Sequence, residues 1–278
     1  MADPLLVGGV VVACFVAYNI GGSTTGPAFG PAVGANVLSK PMAGGLMAVA
    51  FFVGAFTIGR RVVDTLGTDL VQDPAIFTLE TSIIVLAFIG GALLIGNLSG
   101  APASTSMTAV GAIAGLGLAT GELNRAIIGE IFAWWVLSPI IGFWTAVMIG
   151  RYWYKQIDRL IAIQQSEGPL ITIEQAGALA RPTLGPNTTR REFVGTSVLV
   201  AIGCLMAFSS GTSNIANAIA PLVGSGALAM NPAIYIGCGA VAVGALTIAR
   251  RTMETLGNDI TDLPLTAAII VAVLSSTI

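Results

Sequence analysis

An all-α polytopic membrane protein, built from two inverted-topology repeats with discontinuous or re-entrant helices, is the fold class predicted by this sequence. Three observations carry that expectation. The 278 residues are 55% hydrophobic and only 9% charged, with a mean hydropathy of +0.87, whereas soluble domains carry about a quarter charged residues. Residues 14–74 overlay residues 204–264 without a gap at an offset of 190, with about a third of the positions identical. Polar clusters rich in Gly, Pro, Ser, Thr and Asn interrupt otherwise apolar segments, the pattern of helices broken around a binding site between repeats.

The elements follow in order. Leu5 opens the first apolar run, and Met1–Pro4 lacks the basic residues of a cleaved leader. Spans are expected near 5–22, 42–58, 82–98, 105–120 and 126–149. The stretch 26–38 is too short to cross and reads as a re-entrant or half-helix. Arg151–Glu192 is the one long hydrophilic segment and holds six of the 12 Lys and Arg residues, which places it in the cytoplasm by the positive-inside rule. Arg151-Tyr-Trp-Tyr-Lys155 reads as an aromatic and basic interfacial anchor, and Pro182, Gly185 and Pro186 as a flexible connector. Five crossings before that loop put the N-terminus outside. An odd number per repeat sends the second copy through the membrane in the opposite direction. The expected organisation is a first transmembrane repeat at 1–150, a connecting loop at 151–192 and a second repeat at 193–278. Ile278 aligns with Phe88, so the second repeat is incomplete and the chain is expected to be part of a longer protein.

Composition also removes function classes. With no histidine, three cysteines in apolar segments and a net charge of −2, the chain offers no zinc site, no catalytic triad and no nucleic-acid surface. No enzyme activity and no cofactor are expected. The lipid bilayer is a partner, and homo-oligomerisation stays open.

Three polar clusters could hold chemistry. The first is Asn19-Ile-Gly-Gly-Ser-Thr-Thr25, followed by Gly-Pro-Ala-Phe-Gly-Pro. Its copy is Ser209-Ser-Gly-Thr-Ser-Asn-Ile-Ala-Asn217. The third, Ser99-Gly-Ala-Pro-Ala-Ser-Thr-Ser106, opens an apolar helix, so Ser104, Thr105 and Ser106 fall in its first turn. Unpaired amides and the partial positive charge of a helix N-terminus suit an oxyanion. Amide and hydroxyl oxygens at unwound positions suit a hard cation. The plain alternative is that such residues only let helices approach and bond across the gap. Asp64 and Glu254 are repeat equivalents within a shared (Asp/Glu)-Thr-Leu-Gly block, as are Asp69 and Asp259. They read either as interfacial helix ends or as cation-coupling carboxylates. Arg60-Arg61 and Arg250-Arg251 are likewise either interfacial caps or part of binding or gating.

These blocks resemble the inorganic phosphate transporter family, the sodium- or proton-coupled phosphate permeases. Ser213-Asn-Ile-Ala-Asn-Ala-Ile-Ala-Pro-Leu-Val-Gly-Ser225 is similar to that family's Asn-Asp-Val-Ala-Asn signature. Glu254-Thr-Leu-Gly257 resembles its Glu-Thr-Leu-Gly block, and Asn97–Ser106 its Gly-x-Pro-Val-Ser-Thr-Thr segment. The resemblance implies phosphate binding at Ser104, Thr105 and Ser106, with Ser213, Asn214 and Asn217 holding phosphate or cation. Ser23 and Thr24 are the first-repeat counterparts. It implies a plasma-membrane symporter working by alternating access and coupled to Na⁺ or H⁺. The candidate cation-binding or coupling residues are Asn214, Asn217, Asn19, Asp64 and Glu254. The sequence departs from the signature where Asn214 and Thr24 replace its Asp and Pro27 its second Asn. Losing two negative charges weakens a cation site and eases entry of a divalent anion. A permease for sulfate or another oxyanion is therefore the second reading, and a non-transporting phosphate sensor the third.

Overall fold

The computed structural model describes residues 3–66, 73–101, 103–161, 171–176, 179–184, 189–256 and 265–277. Residues up to 150 contain α1 (Pro4–Gly34), α2 (Lys40–Gly54), a π-turn (Ala55–Gly59), α3 (Arg60–Leu66), α4 (Leu79–Ser99), α5 (Thr105–Thr120) and α6 (Arg125–Met148). After a second π-turn come α7 (Tyr154–Ile161) and two strands, β1 (Ile171–Ala176) and β2 (Leu179–Leu184). They are followed by α8 (Arg190–Gly224), α9 (Met230–Leu246), α10 (Ala249–Glu254) and α11 (Leu265–Thr277). Among the described residues the fold is thus helical apart from one antiparallel hairpin, in which Ile173 pairs with Pro182. The hairpin occupies part of the segment expected to be a plain connector.

Local chemistry sets the helix ends. Ser39 caps α2 by accepting the Met42 amide, with Pro41 in its first turn. Thr78 and Thr81 form a reciprocal capping box on α4, and Gly100 ends that helix at φ +76°. Ser104 caps α5 by accepting from the Met107 amide.

The offset of 190 reappears in the backbone. Ala35 and its equivalent Ser225 follow the two longest helices, and their amides bond to the carbonyls of Pro31 and Pro221 respectively. The next residues, Asn36 and Gly226, both take positive φ. The Leu38 and Leu228 amides then reach back to Ala32 and Leu222.

Packing crosses between the repeats. A Cβ on Gly54 of α2 would stand 2.1 Å from the Phe208 carbonyl oxygen of α8, and one on Gly211 of α8 would stand 2.1 Å from that of Phe51. The equivalent pair joins α1 to α9: a Cβ on Gly244 would stand 1.9 Å from the Tyr18 carbonyl oxygen, and one on Gly21 2.2 Å from that of Val241. Only glycine permits such approaches. Between α1 and α8 the direction reverses, since Gly9 faces Leu222 while Gly203 faces Phe29. The two equivalent helices therefore run antiparallel. So do α2 and α9, where Gly44 meets Ala245 and Arg60 meets Asn231.

By length and composition, helices over Pro4–Gly34, Lys40–Val63, Leu79–Ser99, Arg125–Ile157 and Arg190–Gly224 can cross a membrane. This corrects one expectation. α1 continues unbroken through residues 26–34, so no separate half-helix occurs there, and the copied cluster likewise lies inside α8. Pro27 and Pro31 each remove only one amide donor. The Ser23, Thr24 and Thr25 hydroxyls meanwhile donate to carbonyls of the preceding turn, and close packing supports the helix from outside. α5 (Thr105–Thr120) keeps the expected bounds, and its 16 residues make about 24 Å of helix. The breaks lie instead at the α4–α5 turn, at Thr247–Ile248 between α9 and α10, and at the π-turns.

Candidate functional site

The polar residues gather on either side of the α4–α5 turn. On one side Ser106 of α5 points its hydroxyl at Asn214 Oδ1 of α8, at 3.4 Å. Asn217, one helical turn further along α8, donates its amide to the same oxygen at 3.3 Å. Asn214 and Asn217 are buried, as is Thr105 beside Ser106. Ser104 and Ser106 are exposed at the start of α5, where the first backbone amides have no intrahelical acceptor. Every group in this constellation is neutral. It offers hydroxyls, amides and the positive end of a helix, all able to donate to oxyanion oxygens, and the carboxamide oxygens of Asn214 and Asn217, able to accept.

On the other side Asn97, in the last turn of α4, donates to the backbone carbonyl of Asn19 at 2.8 Å and to its Oδ1 at 3.1 Å. Asn19 in turn donates to the Phe15 carbonyl. Both asparagines are fully buried, and Asn97 Oδ1 is a buried acceptor without a partner among the described residues. The turn folds tightly: a Cβ on Gly96 would lie 2.9 Å from that of Ala103.

Not every expected site residue joins this grouping. Ser213 is exposed and donates to the Ser209 carbonyl, because one residue's advance along a helix turns its side chain about 100° from Asn214. Ser23 is buried and Thr24 half-buried, and both hydroxyls donate to the Ile20 carbonyl of their own helix. Glu254 pairs with Lys40 at the start of α2. The hydrogen bond and charge of Lys40 hold its carboxyl below the ordinary value, with smaller help from Arg251 and Arg250 against a desolvation cost. Asp64 lies on α3; its side chain, and Asp69 and Asp259 altogether, lie outside the described residues. Sequence reasoning passed over Asn97 as a partner of Asn19, and Lys40. Asn97 carried a signal, being a lone carboxamide late in an apolar run.

A model of the phosphate transporter family matches residues 20–278. The chain belongs to that family. It is 32% identical to the sulfate permease CysP of Bacillus subtilis over 255 residues, which cover 91% of this chain and 64% of that protein. The chain thus spans a little under two thirds of that relative's length. Its fold matches a solved structure described as the sodium-dependent phosphate transporter, with a TM-score of 0.70 and 18% identity, over 99% of this chain and 85% of that one.

Proposed function

We propose that this chain forms the substrate-handling part of a secondary transporter that carries a tetrahedral oxyanion, inorganic phosphate first, by cation-coupled alternating access. The observation that carries this reading is the contact between Ser106 at the start of α5 and Asn214 on α8. It brings the helix start proposed for the anion and the second-copy signature proposed for the cation to one place. Membership of a transporter family supports it, and speaks against an enzyme. In this reading Ser104, Thr105, Ser106 and the first amides of α5 receive the anion. Asn214 and Asn217 supply oxygens to Na⁺, or orient the anion if H⁺ is the coupling ion.

The antiparallel course of α1 and α8 supports repeats of opposite orientation in a membrane. The basic content of 151–192 favours a cytoplasmic loop in a plasma-membrane protein, with the N-terminus outside. Repeats at 1–150 and 193–278 remain the proposed organisation.

Sulfate is the second reading, favoured by the neutrality of the site. Phosphate as HPO₄²⁻ donates a proton that sulfate lacks, and selecting for it calls for a strong buried acceptor. The family's carboxylate is here Asn214, and CysP carries the name of a sulfate permease.

The test is uptake of labelled phosphate into proteoliposomes bearing the full-length protein, with and without an inward Na⁺ gradient, and with unlabelled sulfate as competitor. Sodium-driven phosphate uptake indifferent to sulfate is the expected result. Sulfate-competed uptake without a sodium effect moves the assignment to the second reading. No uptake of either anion overturns the permease.

A further inference from the structure

The short helix α10 meets four other segments. Thr252 Oγ1 donates to the Gly22 carbonyl of α1 at 2.8 Å. The Arg251 guanidinium donates to the Leu98 carbonyl at the end of α4. Just past the helix, Thr255 Oγ1 would lie 2.9 Å from a Cβ on Gly100, within the α4–α5 turn. Glu254 pairs with Lys40 at the start of α2. α10 therefore lies against the turn that carries Ser104–Ser106, and one ion pair ties its end to the first repeat.

That pair has no counterpart under the repeat symmetry. An offset of 190 relates Lys40 to Met230 and Glu254 to Asp64, so the related position lacks the cation. The opposite end of the α2–α9 pair is fastened by different chemistry. Arg60 Nη2 donates to Asn231 Oδ1 at 2.7 Å, and its guanidinium lies 4.5 Å from the Phe56 ring centroid. Phe52, Phe56 and Tyr235 cluster there. The repeat equivalents of Asn231, Phe52, Phe56 and Tyr235 are Pro41, Ala242, Leu246 and Gly45, so this fastening is also unique to its end. Residues 40 and 60 are about 30 Å apart along the helix, close to the thickness of a bilayer's hydrocarbon core.

The two fastenings thus differ in kind as well as place. Arg60 is packed over a ring, its buried Nε without a hydrogen-bond partner among the described residues, whereas the Lys40 and Glu254 side chains form an ion pair and are 31% and 47% exposed. An ion pair so exposed contributes little to holding a fold. A small free energy nevertheless shifts the populations of two nearly balanced conformations severalfold.

We propose that Lys40–Glu254 is a releasable latch that holds α10 closed on the α4–α5 turn, and that its opening exposes the turn at that end of the molecule. The inference deepens the transporter reading and depends on it only where uptake is measured.

The test uses the full chain in liposomes, with Cys14, Cys204 and Cys238 replaced by alanine and Thr252→Cys, a fully buried position, as reporter. Lys40→Met and Glu254→Gln are each expected to raise maleimide labelling about three- to tenfold. The exchange Lys40→Glu with Glu254→Lys is expected to bring it back within about twofold of the parent. If Glu254 were instead a cation ligand, Lys40→Met would leave labelling unchanged and the exchange would not restore it; either result overturns the latch. Independently, a Lys40→Cys/Glu254→Cys pair bridged by a short bis-methanethiosulfonate, which spans the length of the lost side chains, is expected to stop uptake of phosphate and sulfate until a reductant is added. Persisting uptake in the bridged protein overturns the proposal. Labelling that follows the expectation in a protein moving neither anion supports the latch and overturns the permease reading.

Discussion

The Asn19–Pro27 stretch of α1 and its copy in α8, Ser209–Asn217, began as the same segment and now do different work. In α1 the polar groups are consumed within the scaffold: three hydroxyls donate to the preceding turn, and Asn19 is held by Asn97. In α8 the Asn214 carboxamide oxygen accepts from Ser106 at the start of α5 and from Asn217. Two substitutions account for the difference, since Thr24 and Pro27 stand where α8 has Asn214 and Asn217. Threonine is short enough to satisfy itself on its own helix, and proline has no polar side chain. A duplicated site need not remain duplicated in use.

The largest expected effect breaks what the halves still share. Gly54→Val and Gly244→Val each drive a side chain into a facing carbonyl oxygen and should prevent recovery of folded protein, since overpacking typically costs about 1–3 kcal/mol and here the obstacle is backbone. Size-exclusion profiles in detergent check this; if one variant folds normally and the other fails, the packing is not equivalent between halves.

The next expectation sharpens the contrast at the site. Asn214→Ala should lower the transport kcat/KM on the order of 10- to 100-fold by removing a buried hydrogen-bonding group. Thr24→Ala should stay within about threefold, because its hydroxyl serves its own helix. Initial-rate uptake of phosphate and sulfate measures both, and equal losses would mean that the two clusters still work as a pair.

Asn97→Leu comes third. It strips the Asn19 carbonyl and Oδ1 of their donor, at a cost of about 1–3 kcal/mol, readable as a lower melting temperature. The smallest effect concerns acidity. Lys40 lowers the Glu254 carboxyl, so the pair's contribution is complete above the unfolded value of about 4.3 and is lost as pH falls through the lower folded value. The ratio of labelling rates at Thr252→Cys in the parent and in Lys40→Met, which cancels the thiol's own titration, should therefore stay flat from neutrality to about pH 5 and rise only below about pH 4. A rise near neutrality would count against a lysine-paired carboxylate.

Much of this architecture was legible because duplication writes it twice. The turns after α1 and α8 could be aligned residue by residue, down to Asn36 and Gly226 at positive φ. The start of α5 was readable to within a residue, since Ser104 was expected in its first turn and caps it. What escaped was pairing across long separations. Nothing local in Lys40 announces Glu254, 214 residues away, and the other copy keeps the carboxylate as Asp64 but has Met230 in place of the lysine. The continuity of α1 escaped for a related reason. Pro27 and Pro31 argue locally for a break, while the glycine contacts that hold the helix straight come from α9 and α10, far along the chain.

The crossed packing of glycine against backbone also bears on how the chain is made. α2 finds its close-packed partner in α8, and Gly54 precedes Phe208 by 154 residues. At about 5–20 residues per second, ribosomes take about 8 to 30 seconds to cover that interval. The apolar face around Gly54 must wait that long in the membrane, held only by lipid or an insertion chaperone, before its own chain arrives to cover it.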